Sequence, residues 1–209
     1  MKWLTGPLAA LVLLAPGTAV VSRASGQTAG SQGQVTWAVH VTLAARWLDP
    51  AEPEGAVTPF MIFFALHDAL LKPMPAGPSE PSLAESWSVS KDGLTYEFVL
   101  RDGVKFHNGD RLSADDVKFS FERYRGSAAK LLRQRVKEVQ VVDARRVRFV
   151  LREPWPDFIT FYGTTATSAG WIVPKKYVES VGDDGFKRAP IGAGPYAAGI
   201  ARFSRGGSY

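Results

Sequence analysis

Apolar and polar positions change rhythm several times along this chain, and each change marks an element boundary. Val35, Trp37, Val39 and Val41 recur at every second position, the spacing of a half-buried strand over residues 35–41. An irregular stretch with Pro50 and Pro53 follows. The run "PFMIFFALHDALLKPMP" then starts with Pro59 in the favoured first helical position and is apolar on most faces. This predicts a largely buried helix that stops before Pro73. Residues 83–89 and 94–100 read as a β-hairpin, because Asp92-Gly93 is the strong turn signal between two alternating runs. Gly103 and Gly109 mark two further turns, and Ser113 opens a helix. Ser113-x-x-Asp116 is close to a capping box, and Asp115 and Asp116 suit the positive end of the helix dipole.

Beyond this helix the pattern predicts a short helix over residues 131–139 and a second hairpin turning at Asp143, with Val147, Phe149 and Leu151 alternating. "WPDFITFYG" supplies one or two helical turns, "TTATSAG" a polar loop, and Pro174 begins another short helix ending near Gly182. Hairpins interleaved with helices favour an α+β (mixed α/β) fold over a doubly wound parallel sheet.

The first 26 residues have a different composition. Lys2 precedes an apolar run over residues 8–21, and small residues stand at Ala24 and Gly26. Pro16 and Gly17 interrupt the run, which falls short of the ~20 residues of a spanning helix. It reads as a secretory signal peptide cleaved after Gly26, followed by a Gly/Gln/Ser linker over residues 27–34. The chain has no cysteine, which excludes disulfides, thiolate metal sites, cysteine nucleophiles and a lipidated N-terminal cysteine. Its net charge of +5 comes from 25 basic and 20 acidic residues that are interspersed. No aromatic-interleaved basic stripe occurs, so nucleic acid is not an expected partner.

Candidate chemistry is sparse. His67-Asp68 lies in an apolar run with no second His four residues on, so a core-edge histidine bonded to neighbouring backbone is expected rather than a metal ligand. His107 sits in a turn, and no G-x-S-x-G nucleophile elbow accompanies it. Capping already accounts for Asp115 and Asp116, which weakens any general acid–base reading. Gly192-x-Gly194 lacks the third glycine of a phosphate loop, and Pro195 favours a tight extended turn instead. Trp37 and Trp87 fall in expected strands and read as core. Trp47 and Trp171 flank irregular segments, where an amphipathic ring either lines a ligand cleft or packs. No nucleophile–base set and no metal cluster emerges, so the residues lean toward binding rather than catalysis.

Several motifs in order carry a resemblance. "SLAESWSVSKDGLTYEFVLRDGVKFHNGDRLSADDVKFSFERY", "VVDARRVRFVLREPWPDF", "IVPKKYVESVGDDGF", "PIGAGPY" and the earlier "LDP" together resemble the periplasmic solute-binding proteins of the peptide/nickel type that serve ABC importers. The resemblance covers residues 35–196 and implies a partial periplasmic binding protein fold of type II. Residues 35–50 and 164–196 would form segments of the first lobe, with 51–163 an inserted β-rich subdomain. It implies a non-enzymatic, cofactor-free, periplasmic protein that binds a peptide or other small solute and meets an inner-membrane ABC permease. Carried over by region, the ligand contacts are His40, Trp47, Thr58, Thr164, Thr167, Ser168 and Trp171, with no metal site. Family members are much longer and have a second lobe. Here "AAGIARFSRGGSY" replaces an expected strand, so residues 197–209 read as an atypical, frameshifted or truncated tail. A stand-alone interaction module or non-functional remnant is the alternative function. A secreted hydrolase would need a catalytic set that is not found.

Overall fold

The computed structural model describes residues 48–53, 62–163 and 167–197. The strand expected over residues 35–41, with Trp37, lies outside them, as does the tail from residue 198.

The first helix stops well before the expected Pro73. α1 spans Phe64–Leu66, and His67 is already extended, at φ −113° and ψ 169°. The run beyond His67 becomes β1 (Asp68–Ala69) and β2 (Leu71–Met74). A continuous apolar run suits a buried strand as well as a buried helix, and here partner strands decide. β2 pairs antiparallel with β3 (Gly77–Pro81), and its register slips between Lys72 and Met74. Pro73 sits in that slip, where its missing N–H costs no ladder bond.

β4 (Ala84–Val89) and β5 (Thr95–Leu100) form the expected first hairpin, with Gly93 at φ 70° in its turn. α2 (Ala114–Arg123) starts at the expected Ser113 cap, where Asp116 Oδ2 accepts the Ser113 N–H at 2.8 Å. The helix expected over 131–139 is instead α3 (Ala129–Arg135), followed directly by β6 (Val136–Asp143). Pairing with β7 (Arg146–Leu151) draws the β-branched residues Val136, Val139 and Val141 into the ladder. α4 (Phe158–Gly163), β8 (Trp171–Ile172) and α5 (Lys175–Arg188) complete the order. α5 begins after Pro174 as expected, and its first helical segment breaks at the expected Gly182, at φ 70° and ψ 171°; a second segment, not foreseen, carries it on to Arg188.

The main sheet is antiparallel, in the order β4-β5-β7-β6, and β1 and β8 form a separate pair. Tyr96 faces Phe149 and Phe98 faces Val147 across β5 and β7, so their rings share the buried face. α2 lies on that face through Val117 and Phe121, and α4 through Phe158 and Tyr162. Phe149 stands at the centre, within 4.8 Å of Tyr162 and 5.4 Å of Phe121 between ring centroids. Such edge and tilted ring pairs add to the area they bury. Trp87 departs from its expected core position. It lies 36 % exposed on β4, an edge strand of which only Ala84 is buried.

Candidate functional site

Four of the expected ligand-contact residues, His40, Trp47, Thr58 and Thr164, lie outside the described residues. The other three sit on one segment, where α4's exit loop meets β8. Trp171 is 3 % exposed, and its ring meets Phe63 at 5.9 Å and Phe64 at 5.0 Å. Ser168 is buried and holds φ 59°, the left-handed region that a non-glycine residue rarely enters. Thr167 is half-buried, and its Oγ1 donates to the Phe161 carbonyl at 2.7 Å.

The loop 48–53, directly after Trp47, comes to the same place. Pro50 and Ala51 line a cavity of only about 10 Å³ with Ser168, Ala169 and Trp171, and α2 closes it through Ser120, Arg123 and Tyr124. A connected series of charges fixes that loop. Asp49 is fully buried and takes both arms of the Arg123 guanidinium, at 2.7 and 2.6 Å. Arg123 also reaches Asp183, from Nε at 3.0 Å and from Nη2 at 2.8 Å. Asp183 binds Arg125 at 2.9 Å, Arg125 binds Glu52 at 3.0 Å, and Glu52 binds Lys187 at 2.8 Å. The loop, the end of α2 and α5 thus contribute one pair each: Asp49 with Glu52, Arg123 with Arg125, and Asp183 with Lys187. The Gly182 kink turns Asp183 toward the arginines. Burial raises the Asp183 carboxyl, but bonds from Arg123 and Arg125 outweigh it and hold the pKa below its ordinary value. Burial alone would lower the Arg123 pKa, and the same carboxylates raise it on balance. Asp183 and Arg123 are therefore both charged at neutral pH.

Histidines tie in a third segment. His67, 1 % exposed, contacts the Leu48 carbonyl through Nε2 at 3.0 Å, so Nε2 carries the proton. His107 accepts the Gly192 N–H at Nδ1, at 3.2 Å, and donates from Nε2 to the Gly194 carbonyl at 2.8 Å. The Gly194 and Tyr196 N–H groups bond Leu66 and Ala65 carbonyls at 3.1 and 2.9 Å. "GAGPY" is therefore a strap that bends over α1 and bonds its carbonyls. Asp116 caps α2 and also accepts the Lys175 N–H at 2.8 Å. Capping thus accounts for it, as expected.

Sequence reasoning missed Arg123, Tyr124 and Asp183 as parts of this region. Asp49 was visible only inside "LDP", and its partner lies 74 residues away. A larger open groove of about 770 Å³ lies elsewhere, against α2, β6 and the start of α5. Lys118, Glu122, Glu138 and Glu179 line it with both signs of charge, and the described expected contacts Thr167, Ser168 and Trp171 do not. Among the described residues no group of three or more His, Asp or Glu is placed to hold a metal ion.

Comparison with known proteins adds independent findings. Residues 79–199 match the family model described as bacterial extracellular solute-binding proteins, family 5 Middle. A Pseudomonas aeruginosa (strain UCBPP-PA14) protein named di/tripeptide-binding protein 2 is 34 % identical over 188 residues, 77 % of this chain and 35 % of that one. The Escherichia coli (strain K12) dipeptide-binding protein is 34 % identical over 141 residues, 56 % of this chain and 26 % of that one. A crystal structure of a dipeptide-binding protein from Pseudoalteromonas sp. SM9913 in complex with Met-Leu superimposes at a TM-score of 0.60 and 26 % identity. It covers 72 % of this chain and 34 % of that one. A Campylobacter jejuni protein in complex with Ni(L-His) gives 0.59 and 33 %, covering 72 % of this chain and 30 % of that one. The chain thus spans about a third of the length of such relatives.

Proposed function

The chain belongs to family 5 of the bacterial extracellular solute-binding proteins, and from that membership we propose that it serves as substrate-binding component of an ABC importer. Its solute is a peptide or a similar small polar molecule. The observation that carries this reading is the family match over residues 79–199, joined to relatives whose names specify dipeptides and tripeptides. The absence of a recognisable nucleophile–base set in the sequence favours binding over hydrolysis. In this reading His40, Trp47, Thr58, Thr164, Thr167, Ser168 and Trp171 border the solute cleft. Extended backbone pairs with ligand amides there, and tryptophan rings cover apolar parts. Residues 35–50 and 164–196 then belong to one lobe and 51–163 to an inserted subdomain. Residues 1–26 direct export to the periplasm, and an inner-membrane ABC permease receives the loaded protein.

Thermal unfolding of the chain tests this, with Met-Leu, a tripeptide, glutathione and Ni(L-His) as probes. A ligand at a hundred times its Kd stabilises a protein by about 2.7 kcal/mol, so one or more probes raises the melting temperature in a concentration-dependent way. Absence of any shift across all four probes overturns the proposal.

A further inference from the structure

We propose that the C-terminal turn of α2 is the positioning device of the solute cleft, with Arg123 holding the 48–53 loop and Tyr124 holding the 167–171 loop. The inference rests on the solute-binding reading above and assigns roles to residues that are not themselves among the expected ligand contacts.

Ser120, Arg123 and Tyr124 fall at i, i+3 and i+4, so one helix face presents all three. Each ends on a different part of the region. Ser120 Oγ accepts the Val173 N–H at 3.0 Å, just beyond Trp171. Arg123 takes Asp49 with two parallel bonds, and the Arg125 N–H donates to the Ala51 carbonyl at 2.8 Å. The Tyr124 hydroxyl donates to the Thr167 carbonyl, next to the left-handed Ser168. A non-glycine residue keeps such a backbone only where its surroundings over-determine it, and the Tyr124 bond is one such restraint.

Local sequence is shaped for this. A Cβ on Gly126 would stand 2.6 Å from Tyr124 Cζ, so glycine there leaves room for the ring to fold back. Only a planar guanidinium can grip Asp49 bidentately and still reach Asp183, because lysine offers a single point of charge. The two loops meet over this helix end with a cavity of about 10 Å³ between them. A binding group must be held within about 0.5 Å of its productive place, and rigid elements do this better than loops. α2 supplies that rigidity to both loops.

Hydrogen–deuterium exchange and Met-Leu titration of the full chain, wild type against Tyr124→Phe, Arg123→Gln and Arg123→Lys, test the proposal. In Tyr124→Phe, exchange over residues 167–173 rises about tenfold while β5 and β7 keep their wild-type protection. In Arg123→Gln the rise falls on residues 48–53. Met-Leu affinity drops about tenfold in both, and Arg123→Lys, which keeps the charge but not the fork, falls between. A rise spread evenly over the main sheet, or none at either loop, overturns the proposal. If Arg123→Gln does not fold, Tyr124→Phe alone decides through the same map. If the wild type binds none of the four solute probes, the functional reading has failed, and the exchange maps still decide whether α2 positions the loops.

Discussion

Burial holds the His67 imidazole neutral and lowers its pKa from 6.5 to about 4, against the Leu48 carbonyl and the Asp49 charge, which favour the cation. His107 and Arg123 add to the lowering. A folded pKa below the unfolded one means that the unfolded chain takes up the proton first. Stability is therefore complete above pH 6.5 and falls as pH drops toward 4, by about 3 kcal/mol over that window. Urea midpoints at about pH 7 and about pH 4.5 measure this, and His67→Gln, which keeps a donor for Leu48 but cannot titrate, flattens the difference. An unchanged pH slope in that variant contradicts the assignment. At the same scale, Asp49→Ala leaves the buried Arg123 short of its main partner and destabilises by about 3 kcal/mol. Glu52→Ala, whose side chain is 26 % exposed, changes stability by less than about 1 kcal/mol. Equal losses in equilibrium unfolding would remove the distinction. The sequence marked His67 as a core-edge residue from its apolar setting, but its carbonyl partner lies 19 residues back and left no local trace.

Elements built from short-range signals were the most legible. The Asp92-Gly93 hairpin, the hairpin turning at Asp143 and the Ser113 cap each depend on residues within a few positions of one another, and each stands as read. Where strand pairing competed with a helical reading of the same residues, the reading failed. The run after Leu66 became β1 and β2 because β8 and β3 were there to pair with it, and residues 136–139 joined β7 instead of prolonging α3. Gly182 does break the helix where expected, but the helical segment beyond it was not read; its Phe186 and Lys187 find partners in Arg123 and Glu52. The cap yields a graded prediction. Ser113→Ala removes the hydroxyl that donates to Asp116 at 2.7 Å and lowers stability by about 1 kcal/mol. Asp116→Ala costs more, because the carboxylate also caps α5 through the Lys175 N–H. Chemical denaturation ranks the two, and a reversed order refutes the double-cap assignment.

Across the whole molecule, contacts between distant segments bring the candidate site together, which is why so little of its geometry could be read in advance. The resemblance selected the loop at Thr167, Ser168 and Trp171 by region, yet the helix end and charge series beneath it became visible only in three dimensions. The strap over α1 shows the same dependence: His107 meets Gly192 and Gly194, 85 and 87 residues further on. Its glycines are fixed by closeness and not by torsion. A Cβ on Gly192 would overlap the Leu66 carbonyl oxygen and lie 2.6 Å from His67 Nδ1, and one on Gly194 would lie 2.6 Å from the Ala65 oxygen. Gly103 is the contrast, since it stands in open space and its φ of 72° is what disfavours a side chain. Gly192→Ala must therefore push the strap off α1 and destabilises by about 2 kcal/mol or more, whereas Gly103→Ala costs about 1 kcal/mol through its backbone alone. Exchange mapping separates the mechanisms: Gly192→Ala loosens residues 65–67 and His107 together, and Gly103→Ala loosens only its own turn. If Gly192→Ala left the 65–67 segment as protected as in the wild type, the close approach would not be what holds the strap.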